Sequence, residues 1–117
     1  MNNGIQLTGS TFAVVHRGRS YGPFDYEWSR DFQGVEFLCR GKKFGEYCSA
    51  NEVYADLKEF RLPTRVYQVA SIAIAALVKS IFDGIPERQR PGVLKRQLCE
   101  LGFERYANVE PLLRSPS

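Results

Sequence analysis

His16 is the single histidine of this 117-residue chain, and Cys39, Cys48 and Cys99 are its three cysteines. Any nucleophile–base pair, or any metal site built on thiolate and imidazole, would draw on these four. Covalent catalysis needs the base within hydrogen-bond reach of the nucleophile. Zinc sites usually announce themselves by two ligands two to four residues apart, and no two cysteines here are that close. Cys39 and Cys48 flank a turn signal and either could meet His16, but no spacing requires it. Asp25 and Glu27 share one side of an extended chain and could work as an acid–base pair, although strand carboxylates more commonly face Lys or Arg across a sheet. Gly41-Lys42-Lys43 lacks the earlier glycine of a phosphate-binding loop. The expectation is a chain with no catalytic residues, no metal and no cofactor, whose cysteines act as small buried apolar groups.

Binding chemistry is better supplied. Tyr21, Phe24, Tyr26 and Trp28 crowd around one Gly22-Pro23 bend, and aromatic rings offer large contact area at little conformational cost. They are the candidate surface for a protein partner. Positive charge gathers in two places: Arg40, Lys42 and Lys43 at a turn, and Arg88, Arg90, Lys95 and Arg96 around the start of a helix. The second group, opposed locally by Glu87, is the candidate for weak nucleic-acid binding, because phosphate contacts need little more than such charges. The formal net charge is only +3, which equally suits ordinary solvated charge.

Tyr21-Gly22-Pro23-Phe24, with Phe12, Val14 and the Arg17-Gly18-Arg19 turn before it, resembles the opening of GYF-type domains. That resemblance spans residues 12–24 and implies a strand leading into a Gly-Pro-aromatic corner whose rings form a groove for proline-rich peptides. Gly34-Val35-Glu36-Phe37 stands where the name-giving tripeptide of that family would fall, and the plainer reading is a strand bend packed by aromatics. Over its length the chain also resembles small uncharacterised proteins of planctomycete-type bacteria, mainly in Tyr21–Ser29 and Lys43–Cys48, a likeness that implies no activity.

The elements that must position these groups fall into two halves. Thr11–His16 is β-branched and aromatic with Gly18 after it, so it predicts a strand. Arg19 to Ser29 alternates, although Pro23 should confine it to an edge or a bend. Val35–Arg40 and Phe44–Cys48 complete a three- or four-stranded antiparallel meander turned by Gly41-Lys42-Lys43. At Ser49 the period changes: Ser49 and Glu52 form a capping box, and Val53, Leu57 and Phe60 mark a short helix ending near Arg61.

The longest apolar run, residues 63–82, follows. Pro63 suits a first turn, and Asp83-Gly84 before Pro86 is a stop signal. Apolar nearly all round, it reads as the buried middle helix of three. Gln68, Ser71 and Lys79 argue against a membrane span, and its alanines would also suit a homodimer seam. A third helix begins near Pro91, carries Leu94, Leu98 and Leu101 on one face, and ends at Gly102 with Phe103 folding back on Leu98. One more helical turn is expected between Tyr106 and Leu113.

The fold class is therefore α+β, a meander followed by three helices. Residues 11–113 form a single domain, with flexible tails at 1–10 and 114–117. Hydrophobic content of 44% and charged content of 25% belong to an ordinary globular protein. An odd number of cysteines and no visible signal peptide point to the cytoplasm. The function expected is a non-catalytic protein-interaction module, with weak nucleic-acid binding as the alternative.

Overall fold

The computed structural model describes residues 2–29, 34–47 and 57–111. They form an α+β domain built on one six-stranded mixed sheet. The strands are β1 (Gly4–Thr8), β2 (Thr11–His16), β3 (Arg19–Ser29), β4 (Gly34–Cys39), β5 (Lys42–Tyr47) and β6 (Val109–Glu110). Their order across the sheet is β5-β4-β3-β2-β1-β6. β1 to β5 run as an antiparallel meander, and β6 closes the far edge parallel to β1 through Ile5↔Val109 and Gln6↔Glu110. Two helices, α1 (Thr64–Phe82) and α2 (Arg90–Glu100), follow the meander.

The alternation of side chains decides which face is buried. Ile5, Leu7, Phe12, Val14, Phe24, Tyr26, Val35 and Phe37 lie in one cluster with Val66, Val69, Ala70, Ala73, Ile74 and Leu77 of α1 and Leu94 and Leu98 of α2. Asp25, Glu27 and Glu46, at the intervening positions, are exposed on the other face. α1 is the spine expected of it, with nine of its 19 residues buried. It is also, among the described residues, the one helix long and apolar enough to cross a membrane by length and composition; half of that stretch is buried inside the domain.

Both helices stop as their glycines dictate. After α1, Gly84 takes φ +71°, its N–H donates to Ile81 O (3.2 Å), and Ile85 N–H donates to Ser80 O (2.9 Å). After α2, Gly102 takes φ +85°, its N–H donates to Cys99 O (3.2 Å), and Phe103 N–H donates to Leu98 O (2.8 Å). Both are the paired 5→2 and 6→1 bonds of a Schellman stop, which needs a left-handed residue just past the helix.

The structure corrects the sequence reading in four places. Gly4–Thr8, expected within a flexible tail, is strand β1: Ile5 and Leu7 alternate with Gln6 and Thr8, and the sheet supplies partners on both sides. β3 is an interior strand, not an edge. Gly22 and the cis Pro23 lie in a bulge where Phe12↔Phe24 and Val14↔Tyr21 leave two β3 residues opposite Ala13. The missing proline N–H therefore falls outside the regular ladder. The helix expected from Ser49 to Arg61 has its capping box outside the described residues, and its described end, Leu57–Phe60, is a 3-10 turn. Arg61 then turns left-handed at φ +49°, which ends any helix before Pro63. The helical turn expected between Tyr106 and Leu113 is not there among the described residues: a 3-10 turn ends at Tyr106, Val109–Glu110 is strand β6, and residues 112 and 113 lie outside the described residues.

Candidate functional site

The four aromatics expected to share one surface do not. Phe24 and Tyr26 are each 1% exposed and belong to the core. The Phe24 ring packs on Phe12, Phe44 and Phe60, with centroids 5.1, 5.8 and 6.2 Å away. Tyr26 stacks on Phe37 and donates its hydroxyl to Gly9 O at 3.0 Å. Burial raises the Tyr26 phenol above its ordinary pKa, a shift partly offset by Arg90, whose Nη1 donates to the same oxygen at 3.4 Å. Trp28 is 47% exposed and sets its ring edge-on to Phe82 at the end of α1. Tyr21 is half-buried, and it lies seven positions, roughly 20 Å, along the strand from Trp28. The sheet alternation that the sequence does show puts 24, 26 and 28 on one side; only the helices decide that this side is covered.

Tyr21 instead lines a cleft of about 390 Å³ together with Phe60 and Leu62, and the buried Phe24 also borders it. Arg19, Arg40 and Lys42 also line it, and the Arg19 guanidinium lies over the Tyr21 ring at 5.5 Å. Topology explains the charge. β2 and β4 run the same way in the meander, so the β2–β3 and β4–β5 turns project from the same end of the sheet. Both are two-residue turns with left-handed backbone throughout: Arg17 (φ +53°) with Gly18 (+77°), and Arg40 (+54°) with Gly41 (+81°). Such turns favour Asn, Asp or Gly at the first position. Among the described residues, the non-glycine positions with positive φ are Arg17, Arg40 and Arg61, all arginine. A long cation at each strained position draws attention to its side chain.

A second cleft, of about 460 Å³, opens at the same end of the molecule. Asn3, His16, Arg17, Arg65, Arg105 and Tyr106 line it, with Glu104 as its carboxylate. The segment between the two clefts is short: Phe60 and Leu62 belong to the first and Arg65 to the second.

No family model, curated protein or solved structure matches the chain.

The second basic group is dispersed. Arg88, Lys95 and Arg96 are exposed, but Arg90 is drawn over the Tyr26 ring at 5.9 Å. Among the described residues the thiol chemistry is not assembled. Cys39 is buried, and burial pushes its thiol above the usual pKa, which keeps it protonated and a poor nucleophile. Cys99 is exposed, and Cys48 lies outside the described residues. His16 bonds through Nδ1 to Tyr106 Oη at 2.6 Å. Among the described residues, no three of His, Cys, Asp and Glu are grouped to hold a metal ion.

The carboxylates of the open sheet face meet one another. Glu27 pairs across the sheet with Glu36, and Glu36 with Glu46. Partial burial raises the Glu36 pKa, and a hydrogen bond and repulsion from Glu27 add to it. Lys43 is bonded to Glu46. Asp25 is not a partner of Glu27; it accepts from Thr11 Oγ1 at 2.6 Å.

Proposed function

We propose that this chain is a non-catalytic protein-interaction module that receives an acidic segment of a partner protein in the Tyr21 cleft. The observation that carries it is the composition of that cleft: an apolar lining of Tyr21, Phe60 and Leu62 beside Arg19, Arg40 and Lys42. An apolar side chain anchored there would contribute about 1.5–3 kcal/mol, and flanking carboxylates would meet guanidinium groups that favour two-pronged contact. A proline-rich ligand, which the GYF-type resemblance implies, fits less well because a ladder of rings is needed and Phe24 and Tyr26 are in the core. A reducing, cytoplasmic setting suits the free thiols of Cys39 and Cys99. We read α1 as a core helix and not a membrane span. Of the small residues that would suit a dimer seam, Ala70, Ala73 and Ala76 are buried within the chain and Ser71 and Ala75 are half-buried, which favours a monomer.

The test is fluorescence anisotropy with labelled Asp/Glu-rich peptides carrying one central Leu or Phe. Tyr21→Ala is expected to abolish binding with little change in Tm, while Trp28→Ala leaves binding intact. Failure of every acidic peptide to bind, or binding indifferent to Tyr21→Ala, defeats the proposal.

Exposure of Arg88, Lys95 and Arg96 favours a second reading, weak nucleic-acid binding. It requires affinity that falls steeply with salt through counterion release and that drops on Arg96→Gln; salt-indifferent binding would exclude it.

A further inference from the structure

The cleft beside His16 collects cations from segments far apart in the chain. Arg17 comes from the β2–β3 turn, Arg65 from the first turn of α1, and Arg105 from the 3-10 turn before β6. Against these three arginines stands one carboxylate, Glu104. Among the described residues none of the three guanidinium groups is in a salt bridge; Arg65 instead lies over the Phe103 ring at 5.4 Å. Ordinary surface charge is interspersed with opposite charge. Three unpaired arginines brought to one concavity by the fold are arranged for an anion that arrives from outside.

The cleft is held in place. Tyr106 is 6% exposed, and its ring stacks on His16 with their centroids 6.0 Å apart. Their hydrogen bond fixes the imidazole and leaves Nε2 without a partner among the described residues. In the tautomer in which the Tyr106 hydroxyl donates to Nδ1, Nε2 carries the proton and is a donor. Asn3 Oδ1 accepts from the Arg17 N–H at 2.9 Å, which ties the left-handed turn to the start of β1. α1 has no acidic residue in its first turn and no side-chain cap, so the positive end of its dipole is uncompensated near Arg65.

From this convergence we propose that the His16–Arg17–Arg65–Arg105 cleft binds a phosphate-class oxyanion, as free inorganic phosphate or as a phosphomonoester on a small molecule. Planar guanidinium groups match the oxygen spacing of phosphate, and a donor imidazole adds a further contact. The site is separate from the Tyr21 cleft and does not rest on the role proposed there.

The experiment is a backbone-amide NMR titration of the full chain with inorganic phosphate and, separately, with phenyl phosphate. Chloride is varied in a parallel series to hold ionic strength. The expected result is saturable shifts at Asn3, Arg17, Gly18 and residues 102–106, with residues 94–97 unmoved. Arg65→Gln and Arg105→Gln should each weaken binding by about tenfold, the loss of one charge-assisted hydrogen bond. Glu104→Gln should strengthen it, an effect that misfolding cannot imitate. Tighter binding of phenyl phosphate assigns the site to a phosphomonoester, and equal affinity to inorganic phosphate. Shifts that fail to saturate, that spread over all arginines, or that Glu104→Gln leaves unchanged overturn the proposal.

Discussion

Replacing Phe24 by alanine separates the core role of this bend from any surface role. The ring is 1% exposed and touches three other phenylalanine rings, from β2, from β5 and from the 3-10 turn before α1. Truncation would remove apolar burial from all three rings and leave a cavity that they fill incompletely. Core Phe→Ala changes cost about 3–5 kcal/mol. For a chain of 117 residues, an unfolding entropy of about 2.1 cal/mol/K per residue makes each kcal/mol worth about 4 °C of Tm. The expected loss is therefore about 12–20 °C, a large fraction of an ordinary domain's stability. Thermal and urea melts followed by far-UV circular dichroism would read it. Tyr21→Ala, at a half-buried position, should cost about 1 kcal/mol and shift Tm by about 4 °C. If Phe24→Ala lowers Tm by no more than Tyr21→Ala does, the ring is not packed as described, and the division of the bend into core and cleft is wrong.

Glu36→Gln should stabilise the protein at neutral pH. A carboxyl whose pKa is raised by folding holds its proton more tightly in the native state. Its penalty is absent below the ordinary carboxylate range, where both states are protonated, and grows as pH rises through that range to its full value above the native pKa. Melts at about pH 3 and pH 7 should therefore show the gain only at pH 7, shrinking with added salt; an equal gain at both would refute the Glu27–Glu36 repulsion. Tyr26→Phe should lose the hydroxyl bond to Gly9 O at a cost of about 1 kcal/mol. Because the Tyr26 phenol is raised by burial, the wild type loses stability as pH climbs past about 10, and the phenylalanine variant does not. The two melting curves should converge at alkaline pH, and a constant gap would show that Tyr26 is not held protonated.

Much of the scaffold was legible because its signals are local. Thr11–His16 is β2 to the residue, since a short β-branched and aromatic run before a glycine is a strong strand signal. Pro63, Gly84 and Gly102 bracket the helices because they restrict or release the backbone whatever surrounds them. Elements with weak local signals were missed. β1 needs β2 and β6 on either side of it, and the two residues of β6 are a strand only by pairing with Ile5 and Gln6. Pro23 signals either an edge or a bend, and the sequence alone does not show that a bulge inside the sheet absorbs its missing donor.

The candidate sites divide in the same way. Residue types alone determined that this chain offers aromatic rings and arginines and little thiol or imidazole chemistry. Alternation alone put Phe24, Tyr26 and Trp28 on one side of β3. Which side the helices cover, and where α1 ends, were decided by packing, so Phe24 and Tyr26 entered the core while Trp28 stayed half out beside Phe82. The arginines Arg17, Arg40, Arg65 and Arg105 that line the two clefts are scattered through the sequence and form no run in it. The antiparallel meander sends two turns to one end of the sheet, and α1 and the last 3-10 turn return there. Charge clustering across that distance is a property of topology, because Coulomb interactions follow separation in space and not along the chain.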